Sequence, residues 1–241
     1  MNKENPQAVY IQTRTDCNNT CSICPQPKAF KRFGLQKMTK KLFDKIIFDL
    51  VERDYNGLIG IFLQQEPLLD DRLFELIEIA KGGKASVEIS TNGILLKDNM
   101  EKLKESSVDR IYFNYGAIKH GKTPASIINY VNELAKYKNV IVNYPVLSND
   151  NIRSLFTKCY VENFWASNRG GNVKSVRHTN KTKFSDRNCQ QLNIVATGDV
   201  ILCCNDYMRE NVFGNAKDEN VIDIWKNISK NFDYPICHKC L

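Results

Sequence analysis

Short β-rich runs alternate with amphipathic helical runs through the first two thirds of the chain, which is the pattern of parallel βα units. The runs Val9 to Thr15, Leu58 to Leu63, Val87 to Thr91, Arg110 to Tyr115 and Val140 to Val146 read as strands. The clearest helix begins after Thr39, an N-cap, and places Leu42, Ile46, Ile47, Leu50 and Val51 on one face. Further helices are predicted near Asp71 to Ala80, Asp98 to Glu105, Ser126 to Tyr137 and Asn151 to Lys158. About six such units are too few for an eight-stranded barrel, but right-handed crossovers curl them into an open, partial (β/α)6 barrel, an α/β fold whose cleft lies at the C-terminal strand ends.

Near Asn168 the pattern changes. Arg169, Gly170, Gly171 and a basic, polar stretch to Arg187 read as a connection, dividing the chain into a barrel over residues 1–168 and a small α+β subdomain over 169–241. In the latter, Leu192 to Ala196 and Val200 to Leu202 form a hairpin around Gly198-Asp199, and a final helix holds Val221, Ile224, Trp225 and Ile228.

The chain's 241 residues, 42% of them hydrophobic, can fill one sizeable core with a small appendage. The polar stretch Met1 to Ala8 has no signal-like apolar region, and no run approaches the ~18 apolar residues of a membrane span, so a soluble, cytoplasmic protein is expected. The formal net charge of +7 leaves weak attraction to nucleic acid open, but there is no aromatic-basic repeat or base-reading motif, and no specific nucleic-acid partner is expected. Nine cysteines in a reducing compartment argue for metal binding or redox chemistry rather than disulfides.

Cys17, Cys21 and Cys24 form a CxxxCxxC triplet immediately after the first strand, in a loop that opens into the cleft. Three thiolates hold three irons of a 4Fe-4S cube and leave the fourth iron open to another ligand. The alternative is a zinc site, which normally takes four protein ligands; the nearest additional Cys or His, His120, sits in a later loop.

With these cysteines the chain resembles the radical S-adenosylmethionine (radical SAM) superfamily, which uses this triplet at this place. Gln65-Glu66-Pro67 follows the second strand where the family has Gly-Gly-Glu-Pro, and the matching glutamate there binds the amino group of the cosubstrate. Ser90-Thr91-Asn92-Gly93 ends the third strand and is similar to the Thr-Asn-Gly element that lies near the methionine and ribose parts. The resemblance implies S-adenosyl-L-methionine as cosubstrate and a 5′-deoxyadenosyl radical that abstracts hydrogen from a substrate.

Cys189, Cys203, Cys204, Cys237 and Cys240 crowd the C-terminal end. Cys237 and Cys240 form a CxxC pair, and Cys189 and Cys203 bracket the predicted hairpin. Four cysteines satisfy zinc as well as an iron–sulfur cluster. The spacing from Gly198 to Cys203, the Asp206-Tyr207 and Gly214-Asn215 that follow, and the helix holding Trp225 resemble the auxiliary-cluster module called Twitch, a short form of SPASM. That resemblance implies a second 4Fe-4S cluster held by Cys189, Cys203, Cys237 and Cys240, and leaves Cys159 and Cys204 as buried packing.

The segment Ser167-Asn168-Arg169-Gly170-Gly171 is similar to one in members of the family that dehydrogenate aminocyclitols, where the matching arginine contacts a substrate hydroxyl. Gln64 and Ser90 stand where those enzymes carry tyrosines, so the pocket differs. The implied reaction is dehydrogenation of an alcohol carbon of a sugar, an aminocyclitol or a similar small polar substrate, with the auxiliary cluster as electron acceptor and a flavodoxin- or ferredoxin-type electron donor. Arg169 is the expected substrate anchor, His120 a candidate in a loop opening on the cleft, and Tyr115, with Asn114, a candidate at the end of the fourth strand. One rival is a peptide-modifying or epimerising enzyme, in which Cys204 or Cys159 returns a hydrogen atom. A non-catalytic metal- or nucleic-acid-binding module is the other.

Overall fold

In a computed structural model the described residues are 4–145, 151–164, 169, 171–173, 190–228 and 234–239. Six parallel strands are laid down in sequence: β1 (Ala8–Ile11), β2 (Leu58–Gly60), β3 (Ser86–Thr91), β4 (Arg110–Asn114), β5 (Val140–Pro145) and β6 (Tyr160–Phe164). The helices between them are α1 (Gln26–Phe33) and α2 (Lys40–Glu52) after β1, α3 (Leu73–Ala80) after β2, and α4 (Met100–Glu105) after β3; α5 (Gly116–His120) and α6 (Ile127–Leu134) follow β4.

The alternation of side chains along each strand divides the sheet into two unlike faces. Val9, Ile11, Val87, Ile89, Ile111 and Phe113 join the helices in one apolar core. The alternate positions Tyr10, Glu88, Ser90, Tyr112 and Asn114 form a polar inner face, and Tyr10, Ser90 and Asn114 line the cleft. A closed (β/α)8 barrel fills its interior with apolar layers; this open one keeps a polar interior that a small hydrophilic molecule can enter.

Thr39 caps α2 by accepting from the Leu42 N–H at 3.2 Å. Val51, expected on the buried face, is 45% exposed, and Phe43 joins Ile46, Ile47 and Leu50 in the core, because Val51 is turned about 100° around the helix from the buried Leu50. The helix expected over Asn151 to Lys158 is a single 3-10 turn, Ile152–Leu155. Only Ile152 and Phe156 are buried there, and Lys158 adopts a left-handed φ of 63°, so the segment has no apolar stripe to hold a longer helix.

The C-terminal segment continues the same sheet. β7 (Gln191–Ile194) pairs in parallel with β1, and β8 (Asp199–Ile201) and β9 (Val212–Asn215) follow antiparallel, giving the order β6-β5-β4-β3-β2-β1-β7-β8-β9. The β7–β8 turn is made at Gly198, with φ +92° and an ideal Cβ only 2.7 Å from Asn215 Oδ1, so glycine is required. α7 (Val221–Asn227) packs on α2, where the buried Asp49 carboxylate accepts from both Lys45 and the Val221 N–H. α8 (Pro235–Lys239) ends the described chain. The expected boundary at Asn168 lies outside the described residues, as do Cys189 and Cys240. Among the described residues no helix is long and apolar enough to cross a membrane.

Candidate functional site

The loops leaving β1, β2 and β3 converge on a cleft of about 350 Å³ at the C-terminal strand ends. The first carries Cys17, Cys21 and Cys24, all half-buried and all lining the cleft. Asn19 fixes this loop: its Oδ1 accepts from the Thr20 N–H (2.9 Å) and the Lys122 N–H (2.7 Å), and its Nδ2 donates to Thr123 Oγ1 (3.0 Å). Two loops far apart in sequence are thereby tied together at the cleft edge.

Burial pushes the Cys17 thiol up to about 12 and the Cys21 thiol up to about 11, and Cys24 acts electrostatically on both. Such thiols do not ionise near neutrality by themselves; bound iron supplies the positive charge that makes thiolate the stable form. Among the described residues no group of His, Cys, Asp or Glu closes around a single metal ion. The donor set fits a cube: three thiols of one loop face one cleft, one for each of three irons.

Glu66 enters from the loop after β2 and is almost completely buried. Its Oε1 accepts from Thr91 Oγ1 (2.7 Å) and the Leu68 N–H (3.2 Å), and its Oε2 from the Asn92 N–H (2.8 Å). Desolvation nevertheless pushes the carboxyl up to about 7. A cation entering the cleft would relieve that penalty. Ser90, Thr91 and Asn92 line the same wall. Asn92 also donates through Nδ2 to Asn18 Oδ1 (2.9 Å) and toward Cys17 Sγ (3.5 Å), so the third loop braces the first. Gly93 shapes the turn rather than the wall: its φ is +84°, and a Cβ there would lie 2.6 Å from the Phe113 ring.

The remaining expected residues divide. Arg169 lines the cleft, in a left-handed conformation with φ 52°, close enough to Tyr207 to act on its hydroxyl. Tyr115 does not line the cleft: it is buried in the core, edge-on to Phe156 with ring centroids 6.1 Å apart. Strand phase sends Asn114 inward instead. His120 ends α5, and what it gives the site is its backbone carbonyl, which accepts from the Ser22 N–H at 2.8 Å in the cysteine loop; its imidazole is not part of the cleft wall.

At the C-terminal end, Cys203 and Cys237 pack together with Leu202 and Ile236. Consecutive residues leaving a strand point to opposite sides, so Cys204, expected as buried packing, is half-buried and lines the cleft. Cys159 packs against the core, where burial pushes its thiol up to about 11. Tyr207 is the functional contact the sequence did not single out for a role: it lines the cleft, its hydroxyl lies 3.8 Å from Cys24 Sγ, and burial together with that thiol pushes the phenol well above its ordinary range.

Comparison with known proteins agrees with this geometry. The model of the radical SAM superfamily matches residues 11–155, and that of the SPASM iron-sulfur cluster-binding domain matches residues 186–241. The S-adenosyl-L-methionine-dependent 2-deoxy-scyllo-inosamine dehydrogenase of Niallia circulans is 24% identical over 224 residues, covering 91% of this chain and 82% of its own. The crystal structure of BtrN in complex with AdoMet and 2-DOIA superposes with a TM-score of 0.66 at 19% identity, over 92% of this chain and 82% of that one. Streptococcus suis SuiB bound to precursor peptide SuiA superposes with a TM-score of 0.71 at 14% identity, over 93% of this chain and 65% of that one. The two matching models bring S-adenosylmethionine and a 4Fe-4S cluster to the barrel and an additional iron–sulfur cluster to the C-terminal segment. Because the first spans more than half of its length, this chain belongs to the radical SAM superfamily and is an enzyme.

Proposed function

We propose that the protein dehydrogenates an alcohol carbon of a small polar molecule, a sugar or aminocyclitol, with the auxiliary cluster taking the electron. The observation that carries this reading is the polar inner face of the sheet, where Tyr10, Ser90 and Asn114 open on a cleft of about 350 Å³ that Arg169 also borders. The cosubstrate shares that cleft, so the room left beside it suits a small molecule, and the polar lining suits a hydrophilic one. The similarity to an aminocyclitol dehydrogenase over 91% of the chain supports the same reading.

In this assignment Cys17, Cys21 and Cys24 hold the first cluster, and Glu66 receives the ammonium group of S-adenosylmethionine. Ser90, Thr91 and Asn92 border its methionine and ribose parts, and Gly93 provides the turn that presents them. Cys203 and Cys237, with Cys189 and Cys240, hold the auxiliary cluster. When bound, the cosubstrate and the reduced first cluster supply a 5′-deoxyadenosyl radical that takes hydrogen from carbon, and the auxiliary cluster supplies an acceptor for the electron left behind. Arg169 holds a substrate hydroxyl at the cleft wall, where its fork of donors can grip two oxygens. The residues around the cleft exclude water from the reacting carbon. A flavodoxin- or ferredoxin-type donor in the cytoplasm would supply the first electron.

The experiment is a screen of sugars and aminocyclitols carrying deuterium on the carbinol carbon. The reading expects deuterium in 5′-deoxyadenosine and one ketone per deoxyadenosine, and expects Cys237→Ala to stop ketone formation. Ketone formed at the wild-type rate by that variant would sink it. Cys204 at the cleft wall favours a second reading, epimerisation, in which its thiol returns a hydrogen atom to the substrate. Deuterium taken from solvent into an otherwise unoxidised product would select that one.

A further inference from the structure

We propose that Tyr207 donates a hydrogen bond to the sulfur of Cys24 in the loaded enzyme and thereby raises the reduction potential of the cluster in the barrel. The inference rests on the assignment of Cys17, Cys21 and Cys24 as that cluster's ligands. Tyr207 is a positioning residue that comes from the C-terminal segment, 183 residues away from the cysteine it meets.

The contact is short of ideal but specific. The Tyr207 hydroxyl lies 3.8 Å from Cys24 Sγ, and the side chain is buried. A buried phenol needs a hydrogen-bond partner, and among the described residues the sulfur is the one its hydroxyl has. An iron-bound thiolate carries no proton, so the phenol must be the donor. Hydrogen bonds to cluster sulfurs draw negative charge from them and favour the reduced, more negative state.

The loop around the phenol is fixed from several sides. Asp206 accepts from the Glu210 N–H (2.9 Å) and the Asn211 N–H (3.0 Å), folding the chain back behind Tyr207. Gln64 of the barrel donates through Nε2 to the Cys204 carbonyl (3.2 Å), which anchors the preceding turn. Arg209 lies over the Phe33 ring on α1 at 4.3 Å and reaches Gln36 Oε1 at 2.9 Å. The hydroxyl therefore belongs to the C-terminal segment, and the contacts that dock this segment on the barrel hold it at the sulfur.

Cys17 receives the matching contact from the barrel itself, through Asn92 Nδ2 at 3.5 Å. One ligand sulfur of the first cluster is thus braced by the cosubstrate wall and another by the segment that carries the auxiliary cysteines. The C-terminal segment then has a second task besides holding a cluster: its seating sets how readily the barrel cluster accepts an electron.

The test is a redox titration, followed by electron paramagnetic resonance, of anaerobically reconstituted full-length protein without S-adenosylmethionine, comparing wild type with Tyr207→Phe. The inference expects unchanged iron content and an unchanged auxiliary cluster. It expects the reduced-to-oxidised ratio of the barrel cluster, read at the wild-type midpoint, to fall at least threefold, a shift of about 28 mV at 59 mV per tenfold for one electron. An unchanged midpoint with full iron overturns it. Electron–nuclear double resonance of the reduced wild-type cluster in heavy water gives a check that needs no stable variant: an exchangeable deuteron coupled at Cys24 is expected, and its absence overturns the inference. A Cys17/Cys21/Cys24 triple alanine variant separates the two levels, because retention of the barrel-cluster signal there refutes the ligand assignment itself.

Discussion

With Glu66 as the proposed receptor of the cosubstrate's ammonium group, S-adenosylmethionine binding is expected to depend on pH in a way that can be worked out from the surroundings of the carboxyl. Its carboxyl is pushed up to about 7 by burial, against three hydrogen bonds that oppose the shift. Receiving an ammonium group requires the ionised carboxylate, so below pH 7 a proton competes with the cosubstrate. The cosubstrate's own amino group loses its proton near about 7.8, which sets the alkaline limit. The product of the two ionised fractions peaks near about pH 7.4; relative to that peak, affinity falls about sixfold at about pH 6 and about ninefold at about pH 9.

Equilibrium dialysis of S-adenosylmethionine against reconstituted, oxidised protein measures this without turnover. Glu66→Gln removes the charge and sets its amide N–H against one of the backbone N–H donors, so it loses at least a charge-assisted hydrogen bond of about 1.5–3 kcal/mol, on the order of a ten- to hundredfold weaker Kd. The variant also loses the acid limb, since glutamine has no proton to shed. A wild-type profile that is flat between about pH 6 and about pH 7.4, or an acid limb of equal size in Glu66→Gln, would refute the assignment of Glu66 as the ammonium receptor.

Other consequences follow from buried polar groups. Glu88 is buried with an Oε2 that has no hydrogen-bond partner among the described residues, and burial pushes it up to about 7 despite Arg110 at 3.4 Å. A carboxyl raised in the folded state contributes stability below its unfolded value of about 4.3 that is lost as pH rises through about 7. Glu88→Gln should therefore stabilise the apo-protein at about pH 8, by about 1–3 kcal/mol or several degrees in melting temperature, and change little at about pH 4; equal shifts at both would contradict this. Asn19→Ala removes three good hydrogen bonds and strands the Lys122 N–H, so a loss of about 3 kcal/mol in urea unfolding is expected, with faster release of iron to a chelator. A loss below about 1 kcal/mol would show that the loop is held by something else.

What could be read in the sequence was what repeats locally. The apolar pairs Val87/Ile89 and Ile111/Phe113 have the spacing of strands facing helices, and those strands fall where they were expected. α1 was missed because Gln26–Phe33 has only Gln26 and Ala29 buried and follows a polar loop; its signal is Pro27 near its start. The expectation that Tyr115 faces the cleft failed by one residue of strand phase, which suffices to turn a side chain from cavity to core. Asn114 and Tyr115 are both polar enough for either side, so only packing against Phe156 decides. The same one-residue logic separates Cys203 from Cys204, and there it places one thiol with Cys237 and its neighbour in the cleft.

The contacts that make the site a site are of another kind. β7 joins β1 across some 180 residues, Asn19 meets Lys122 and Thr123, and Tyr207 meets Cys24. None has a local pattern, because each is selected by where the sheet order puts two loops. Extending the sheet through β7 sets β8 on the β1 side of the barrel, and although antiparallel β8 ends at the opposite strand ends, the loop after it, with Cys203, Cys204 and Tyr207, folds back to the loop after β1, with the first three cysteines. A hairpin standing apart from the barrel would leave its cysteines remote from the cleft. Joined edge to edge with β1, it places Cys204 and Tyr207 in the cleft wall and Cys203 on the far side of the same turn, so the two thiol groups share one short stretch of chain. In the proposed dehydrogenation, the path of the electron from the cleft to the auxiliary cluster then depends on the β1–β7 pairing as much as on any cysteine.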